Sequence, residues 1–274
     1  MFEKMFKNVH ERSPIVHCIT NYVTVNDVAN IILALGASPI MADDIEEVSD
    51  ITSICNSLVL NIGTLNCRTI ESMIEAGKTS NKLGHPIVFD PVGVGASKLR
   101  MDTTLKLLKE VKFSVIRGNA SEIKAIISKT KTSGGVDVSL EDIISEDNLD
   151  KYIKIGKEVS KANNAVVAIT GPIDIVTNGE KTYLIRNGHK SMGRITGTGC
   201  MLTGVIGGFI GANPENVLDS TAAAVAVMGL CGELANQKTA ERALGTGSLR
   251  TYIIDYMSNL RGEILKEELK IESR

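Results

Sequence analysis

Gly197-Thr198-Gly199-Cys200 stands between a strand-like segment and the apolar run Met201-Leu202-Thr203-Gly204-Val205-Ile206, and its residue types suit chemistry on an anion. A helix that opens on such a turn leaves its first N–H groups without intrahelical acceptors, and its dipole favours negative charge at that end. Glycine removes the Cβ that would hold a phosphate away from the backbone. Cys200 adds, at the last position of the turn, a side chain able to take a proton. The combination suits a phosphoryl group in transfer; the alternative is a helix start whose glycines serve close packing alone.

Ligands of open α/β sheets gather outside the carboxyl ends of the strands. The residues that close predicted strands here are Met41, Gly63, Asp90, Arg117 and Thr170. Met41 can fill the core or line a pocket. Asp90-Pro91-Val92-Gly93 has the composition of a turn, and it also sets a carboxylate at a strand end. Arg117, beside a helix start, can clamp a phosphate in fork geometry. Asn119 and Glu122 have the spacing of a capping box. Glu122 and Asp90 are also hard oxygen ligands from neighbouring strands, which suits Mg²⁺ held largely through water. Thr170 can donate its hydroxyl to a phosphate oxygen or simply cap its strand.

Patterns that would point elsewhere are missing. No G-x-G-x-x-G or Walker A sequence occurs, no H-x-x-x-H or H-E-x-x-H pair of a zinc enzyme, and no G-x-S-x-G elbow. Phosphoryl transfer to a small alcohol is the reaction class that the remaining groups share.

The elements that must position these residues alternate. Apolar strand-like runs fall at 14–19, 38–41, 58–62, 86–90, 113–117 and 165–170. Between them lie helical patterns at 25–35, 45–55, 67–83, 99–109, 122–128 and 150–162. Residues 129–137 read as a polar loop. Asn178-Gly179 marks a hairpin between 173–177 and 182–186. Everything beyond Thr198 is helical in pattern, at 198–211, 214–236 and 247–268. Continuous apolar strands alternating with helices predict a mostly parallel sheet covered on both faces, and hence one α/β domain spanning 1–274 with a helical C-terminal third.

Composition narrows the partners. Of 274 residues 43% are hydrophobic, and the net charge is −2 with both signs interspersed, so no polyanion-binding face is expected. The chain has no Trp and 4% aromatic residues, which argues against stacking platforms for nucleic-acid bases. Five scattered cysteines without a C-x-x-C pair suit a reducing cytoplasm. The apolar stretches 199–212 and 220–230 are shorter than the ~20 residues of a membrane span, and the first residues lack the apolar core of a signal peptide.

Five segments, in order and with the right spacing, resemble the ribokinase-like superfamily and, within it, the hydroxyethylthiazole kinase family. They are His17-Cys18-Ile19-Thr20-Asn21-Tyr22-Val23 with Asn26 and Ala29-Asn30, Gly36-Ala37-Ser38-Pro39-Ile40-Met41, Asp90-Pro91-Val92-Gly93-Val94-Gly95-Ala96, Arg117-Gly118-Asn119-Ala120-Ser121-Glu122, and Thr196-Gly197-Thr198-Gly199-Cys200-Met201. The resemblance implies a ribokinase-like three-layer αβα fold. It implies ATP-dependent phosphorylation of 5-(2-hydroxyethyl)-4-methylthiazole with Mg²⁺ in thiamine salvage, by a homotrimer with active sites between subunits. By the same resemblance Met41 and Gly197 contact the thiazole, Arg117 and Thr170 contact ATP, and Asp90 and Glu122 are the acidic Mg²⁺-linked positions. Cys200 stands where the superfamily's sugar kinases carry an Asp base. A free thiol has a pKa of about 8.5 and is a weak base at neutral pH unless its surroundings lower that value.

Overall fold

A computed structural model describes residues 1–128 and 142–274, so the loop expected at 129–137 lies outside the described residues. Strands and helices alternate as α1 (Phe2–Arg12), β1 (Ile15–Ile19), α2 (Val25–Leu35), β2 (Ser38–Ile40), α3 (Val48–Ile54), β3 (Ser57–Asn61), α4 (Cys67–Leu83), β4 (Ile87–Asp90), α5 (Lys98–Glu110), β5 (Val115–Asn119) and α6 (Ala120–Ser128). The chain continues with α7 (Leu149–Asn163), β6 (Val166–Thr170), the hairpin β7 (Asp174–Thr177) and β8 (Thr182–Ile185), then α8 (Thr198–Ala212), α9 (Val217–Glu241), α10 (Thr246–Asn259), α11 (Gly262–Glu268) and β9 (Ile271–Ser273).

These strands form one nine-stranded sheet in the order β2-β1-β3-β4-β5-β6-β7-β8-β9. β1 through β6 pair in parallel, and β7, β8 and β9 continue antiparallel. Alternate side chains of each strand feed opposite faces. Val16, Val59 and Val88 enter one core with residues of α1, α2, α8, α9 and α10. Leu58, Leu60 and Phe89 enter a second core under α3 to α7. This is the three-layer αβα architecture that the family resemblance implies.

Helix α8 is apolar all round and almost wholly buried, as its lack of a polar face requires. A Cβ on Gly207 would lie 2.7 Å from Val59 Cγ2, so glycine there lets α8 lie flat on the sheet. The Ser57 hydroxyl donates to the Gly207 carbonyl at 2.8 Å and fixes the helix along its axis. The N-terminus of α8 is thereby held over the carboxyl ends of the central strands.

Several boundaries differ from the sequence reading. The strand expected at 113–117 runs from Val115 to Asn119, because Phe113 turns away to stack on Phe89 at 4.7 Å; Arg117 is therefore inside β5, paired with Ala168, and not at its end. Helix α3 begins at Val48 rather than 45, since an Asp44-centred turn occupies 44–47, with the Asp44 side chain accepting from Glu46 N at 3.0 Å. The last helical stretch breaks at Leu260 and Arg261, both extended, into α10 and α11. The chain then ends in β9, which the all-helical reading of this third did not contain; β9 pairs with β8 and extends the sheet. The helix expected at 214–236 runs from Val217 to Glu241, after a 3-10 turn at Pro214–Asn216, and it contains the apolar stretch at 220–230. By length and composition that helix could cross a membrane, but 72% of its apolar window is buried inside the protein.

Candidate active site

Neighbouring parallel strands each deliver a polar group to the same edge of the sheet. Asn21 follows β1, Asn61 ends β3, Asp90 ends β4, Asn119 ends β5 and Thr170 ends β6. Arg117 lies two residues before Asn119 in β5, on the same face of the strand, and shares the edge through its long side chain.

Asp90 is fully buried. Its Oδ2 accepts from Asn61 Nδ2 at 2.8 Å and from Thr203 Oγ1 at 2.7 Å, and Arg117 Nη1 stands 3.5 Å away. Its Oδ1 is buried without a partner among the described residues. Burial raises the pKa of this carboxyl, and the Arg117 charge and the Thr203 and Asn61 hydrogen bonds only partly offset that. Arg117 turns its other terminal nitrogen, Nη2, to Thr170 Oγ1 at 2.8 Å. Desolvation opposes its charge, but Asp90 and Glu122 outweigh that and hold the guanidinium ionised.

Glu122 and Asn119 form the reciprocal pair that their spacing predicts. Asn119 N donates to Glu122 Oε2 at 2.7 Å, and Glu122 N donates to Asn119 Oδ1 at 2.9 Å. Glu122 Oε1 also accepts from Gly93 N at 2.8 Å, which fixes the Asp90-Pro91-Val92-Gly93 turn to α6. Burial, and then the Asp90 charge, push the Glu122 pKa up to about 7. Asp174, half-buried across the edge with Oδ1 accepting from Gly171 N at 2.8 Å, is likewise raised to about 7 by burial.

The turn before α8 is built for close approach. Gly197 has φ +91°, and a Cβ on it would lie 2.5 Å from Thr24 Cγ2. A Cβ on Gly199 would meet Arg117 Nη1 and Nη2 at 2.6 Å each, so the guanidinium lies directly against the first turn. No side chain caps this helix, and Met201 N, bonded to the Gly197 carbonyl at 2.8 Å, begins its ladder. A guanidinium and a helix N-terminus, both positive, thus face one place, which is the arrangement an anion neutralises.

Cys200 is half-buried in this first turn. Its Sγ accepts from Asn21 Nδ2 and from Asn61 Nδ2, each at 3.3 Å. Burial, and then the Asp90 charge, raise the thiol pKa against opposing contributions from Thr24, Arg117 and Asn21, so the sulfur is protonated at neutral pH.

A cleft of about 790 Å³ opens beside the turn. It is lined by Arg117, Asn119, Thr170 and Gly197–Gly199, by the basic Lys190 and Arg194, and by a floor of Leu202, Val225 and Met228. Of the residues singled out in the sequence, Arg117, Thr170 and Gly197 line this cleft. Cys200 and Asp90 stand behind it in the hydrogen-bonded network, and Glu122 ties that network to the loop after β4. Met41 does not line the cleft. It follows β2 at the outer end of the same edge, partly buried against the core beneath α2 and α8.

Asn61 and Thr203 belong to the site and were not singled out. Asn61 sits in the run Leu58-Val59-Leu60-Asn61-Ile62, where one buried amide interrupts apolar residues, and that interruption was its signal. Thr203 lies one helical turn after Gly199 and reads as part of an apolar helix. Its role depends on the long-range contact of α8 with β4.

The Asp90 and Glu122 carboxyls, the first raising the pKa of the second, and the Asp90 Oδ1 without a partner among the described residues fit a divalent cation that takes few protein oxygens. Among the described residues no three acidic, His or Cys side chains converge as a closed metal cage. The donor set matches Mg²⁺ that relies on phosphate and water for most of its ligands.

Residues 6–263 match the model of the hydroxyethylthiazole kinase family. A hydroxyethylthiazole kinase from Clostridium acetobutylicum is 54% identical over 273 residues, covering 100% of both chains. One from Clostridium beijerinckii is 50% identical over 98% of this chain and 95% of its own. The solved structure of the hydroxyethylthiazole kinase protein from Pyrococcus horikoshii OT3 superposes with a TM-score of 0.89 at 33% identity, over 100% of this chain and 98% of that one.

Proposed function

The chain belongs to the hydroxyethylthiazole kinase family, and from that premise we propose how its edge groups carry out the family's reaction. The protein transfers the γ-phosphoryl group of ATP to the hydroxyl of 5-(2-hydroxyethyl)-4-methylthiazole, in thiamine salvage. The observation that carries the assignment of roles is the Arg117 guanidinium packed against Gly199 at the uncapped start of α8.

Arg117 and Thr170 bind the ATP phosphates from the β5 and β6 side of the cleft. The N–H groups of residues 197–200 receive the transferring phosphoryl oxygens, where fixed donors cost no reorganisation as charge shifts. Asp90 and Glu122 hold Mg²⁺, which when bound neutralises phosphate charge and aligns the donor. The thiazole ring rests against Gly197 and Met41, which puts its hydroxyl beside Cys200. Positioning dominates in a loose transition state, because the hydroxyl loses its proton late, to an oxygen of the transferred phosphoryl group, as the bond to ADP breaks. A protonated thiol therefore suffices as an orienting neighbour, and a strong base is not required.

We also infer a homotrimer with sites at subunit interfaces, supported by the family resemblance and by the exposed Tyr22 and Val23 next to Asn21. A cytoplasmic location agrees with five free thiols. The test of function is an ATP-coupled phosphorylation assay with the thiazole alcohol. Formation of the phosphate ester is expected, and its absence with folded protein, Mg²⁺ and ATP overturns the reading. Sedimentation equilibrium tests the trimer; a monomer at micromolar concentration overturns it.

A further inference from the structure

Cys200 is held from behind by two asparagines whose amide orientations are fixed. Asn61 is 1% exposed and uses every polar atom: Nδ2 donates to Asp90 Oδ2 at 2.8 Å and to Cys200 Sγ at 3.3 Å, while Oδ1 accepts from Asn21 Nδ2 and from Gly63 N, both at 2.9 Å. Turning this amide over would set its oxygen against the Asp90 carboxylate and its NH₂ against the Gly63 N–H. Asn21 is 4% exposed, with Oδ1 accepting from Thr24 N at 3.2 Å and Thr24 Oγ1 at 3.1 Å, which leaves Nδ2 to Asn61 and to Sγ. The gap between strand ends β1 and β3 is closed tightly, since a Cβ on Gly63 would fall 2.9 Å from the Asn21 side chain.

Both amides donate to the sulfur and the Thr24 side chain is a third hydrogen-bond partner, so Sγ is fixed in place from the side of β1 and β3. We propose that Asn21 and Asn61 are positioning residues for phosphoryl transfer, which hold Cys200 Sγ at a fixed place beside the acceptor hydroxyl, with Asn61 also tying that sulfur to Asp90. The amide pair thereby couples the acceptor-orienting thiol to the carboxylate on the donor side through a single bridging residue. Neither asparagine reaches the nucleotide cleft, which is lined from β5 onward.

The proposal rests on the kinase reading above, and a double-mutant cycle separates the two. Phosphorylation by the unaltered chain tests the reading alone. Asn21→Ala, which leaves the contacts of Asp90 in place, is expected to lower kcat roughly tenfold, the size of one hydrogen bond to a reacting group. The KM for ATP should stay within twofold. In a Cys200→Ala background the same change should alter kcat less than twofold, because the group it positions is gone. Asn61→Ala should retain part of its effect in that background through Asp90. An unchanged kcat in Asn21→Ala, or an equal fractional loss in both backgrounds, overturns the proposal. Where Cys200→Ala falls below detection, Cys200→Ser replaces it: a hydroxyl oxygen accepts the same two N–H groups, so Asn21→Ala must again lower kcat, and no change there also overturns it. Thermal melting confirms that each variant is folded.

Discussion

The two edges of the sheet each carry a polar hollow, and they differ in how that polarity is held. At the carboxyl edge the cleft of about 790 Å³ borders a buried Asp90–Arg117 pair and the bare N-terminus of α8. At the amino edge a hollow of about 600 Å³ is lined by Asn81, His85, Lys112, Ser114, Asn178 and Glu180. Lys112, Asn178 and Glu180 are exposed there, Asn81 spends its amide on the Lys112 backbone, Ser114 Oγ accepts from Ile87 N, and the one buried polar atom without a partner, His85 Nδ1, has no charged group paired with it among the described residues. Volume does not distinguish the two. Buried charge does, since a charge kept out of water must be paired and aimed, and such arrangements mark sites where a reaction uses the field. Parallel strands add to the contrast, because helices that follow them start at the carboxyl edge and bring their positive ends there.

Breaking the charged pair should have the largest effect. Arg117→Ala leaves Asp90 buried and unpaired, which costs on the order of 3–5 kcal/mol of stability. It should raise the KM for ATP far more than that for the thiazole, measured by steady-state kinetics at fixed saturation of the other substrate. Equal effects on both would separate Arg117 from the nucleotide. Gly199→Ala comes next. Its Cβ would sit 2.6 Å from the guanidinium nitrogens, so Arg117 must move. We expect a loss of about 10²-fold in kcat/KM, the scale of a misplaced positioning group, with melting temperature falling less than for Arg117→Ala.

Cys200→Ala tests how far the edge acts by positioning. Turnover should fall about tenfold, roughly one hydrogen bond in the transition state, and should not vanish. Cys200→Asp should retain or improve turnover, because Asn21 and Asn61 already aim N–H groups at that position. A folded, substrate-binding Cys200→Ala enzyme with no activity would give the thiol an indispensable role.

A smaller effect follows from the raised carboxyls. Glu122 and Asp174 titrate near pH 7 when folded, against about 4 for free carboxylates. Their protonated forms are favoured in the fold, so the stability they contribute is complete at low pH and is lost as pH rises through 7. His17, held below its ordinary value by burial, works the other way beneath about pH 6.5. Between pH 6.5 and 8 the ligand-free protein should therefore lose on the order of 1 kcal/mol, read as a falling melting temperature, and Mg²⁺ with ATP should restore more at pH 8 than at 6.5. A melting temperature that rises across this window would contradict the raised pKa values of these two carboxyls.

Much of this edge was legible in the sequence, for a physical reason. Gly197, Asp90, Glu122 and Thr170 stand next to breaks in apolar patterns, and such breaks locate strand ends and helix starts without knowledge of packing. Arg117 was found for its charge and neighbours, although β5 extends two residues past it. Asn61 and Thr203 each look like a tolerated polar residue in an apolar element, and only the pairing of β3 with β4 and the descent of α8 onto both makes them partners of Asp90. β9 was missed for a related reason. Three residues carry too little pattern to read alone, and β8 alone supplies its ladder.

The smallest expected effect sharpens the contrast most directly, because it removes a positive charge from the other edge. Lys112→Ala deletes an exposed ammonium that lines the amino-edge hollow. It leaves intact the hydrogen bonds of Asn81, which go to the Lys112 backbone N and O. Nothing buried is left unpaired, so stability should stay within about 0.5 kcal/mol, the range of an ordinary surface substitution. If polarity alone made a phosphate site, losing the cation of this hollow would raise the KM for ATP. If buried, aimed charge is what matters, the kinetic constants for both substrates should remain within twofold of the parent. A severalfold rise in the ATP KM of Lys112→Ala would erase the distinction between the two edges.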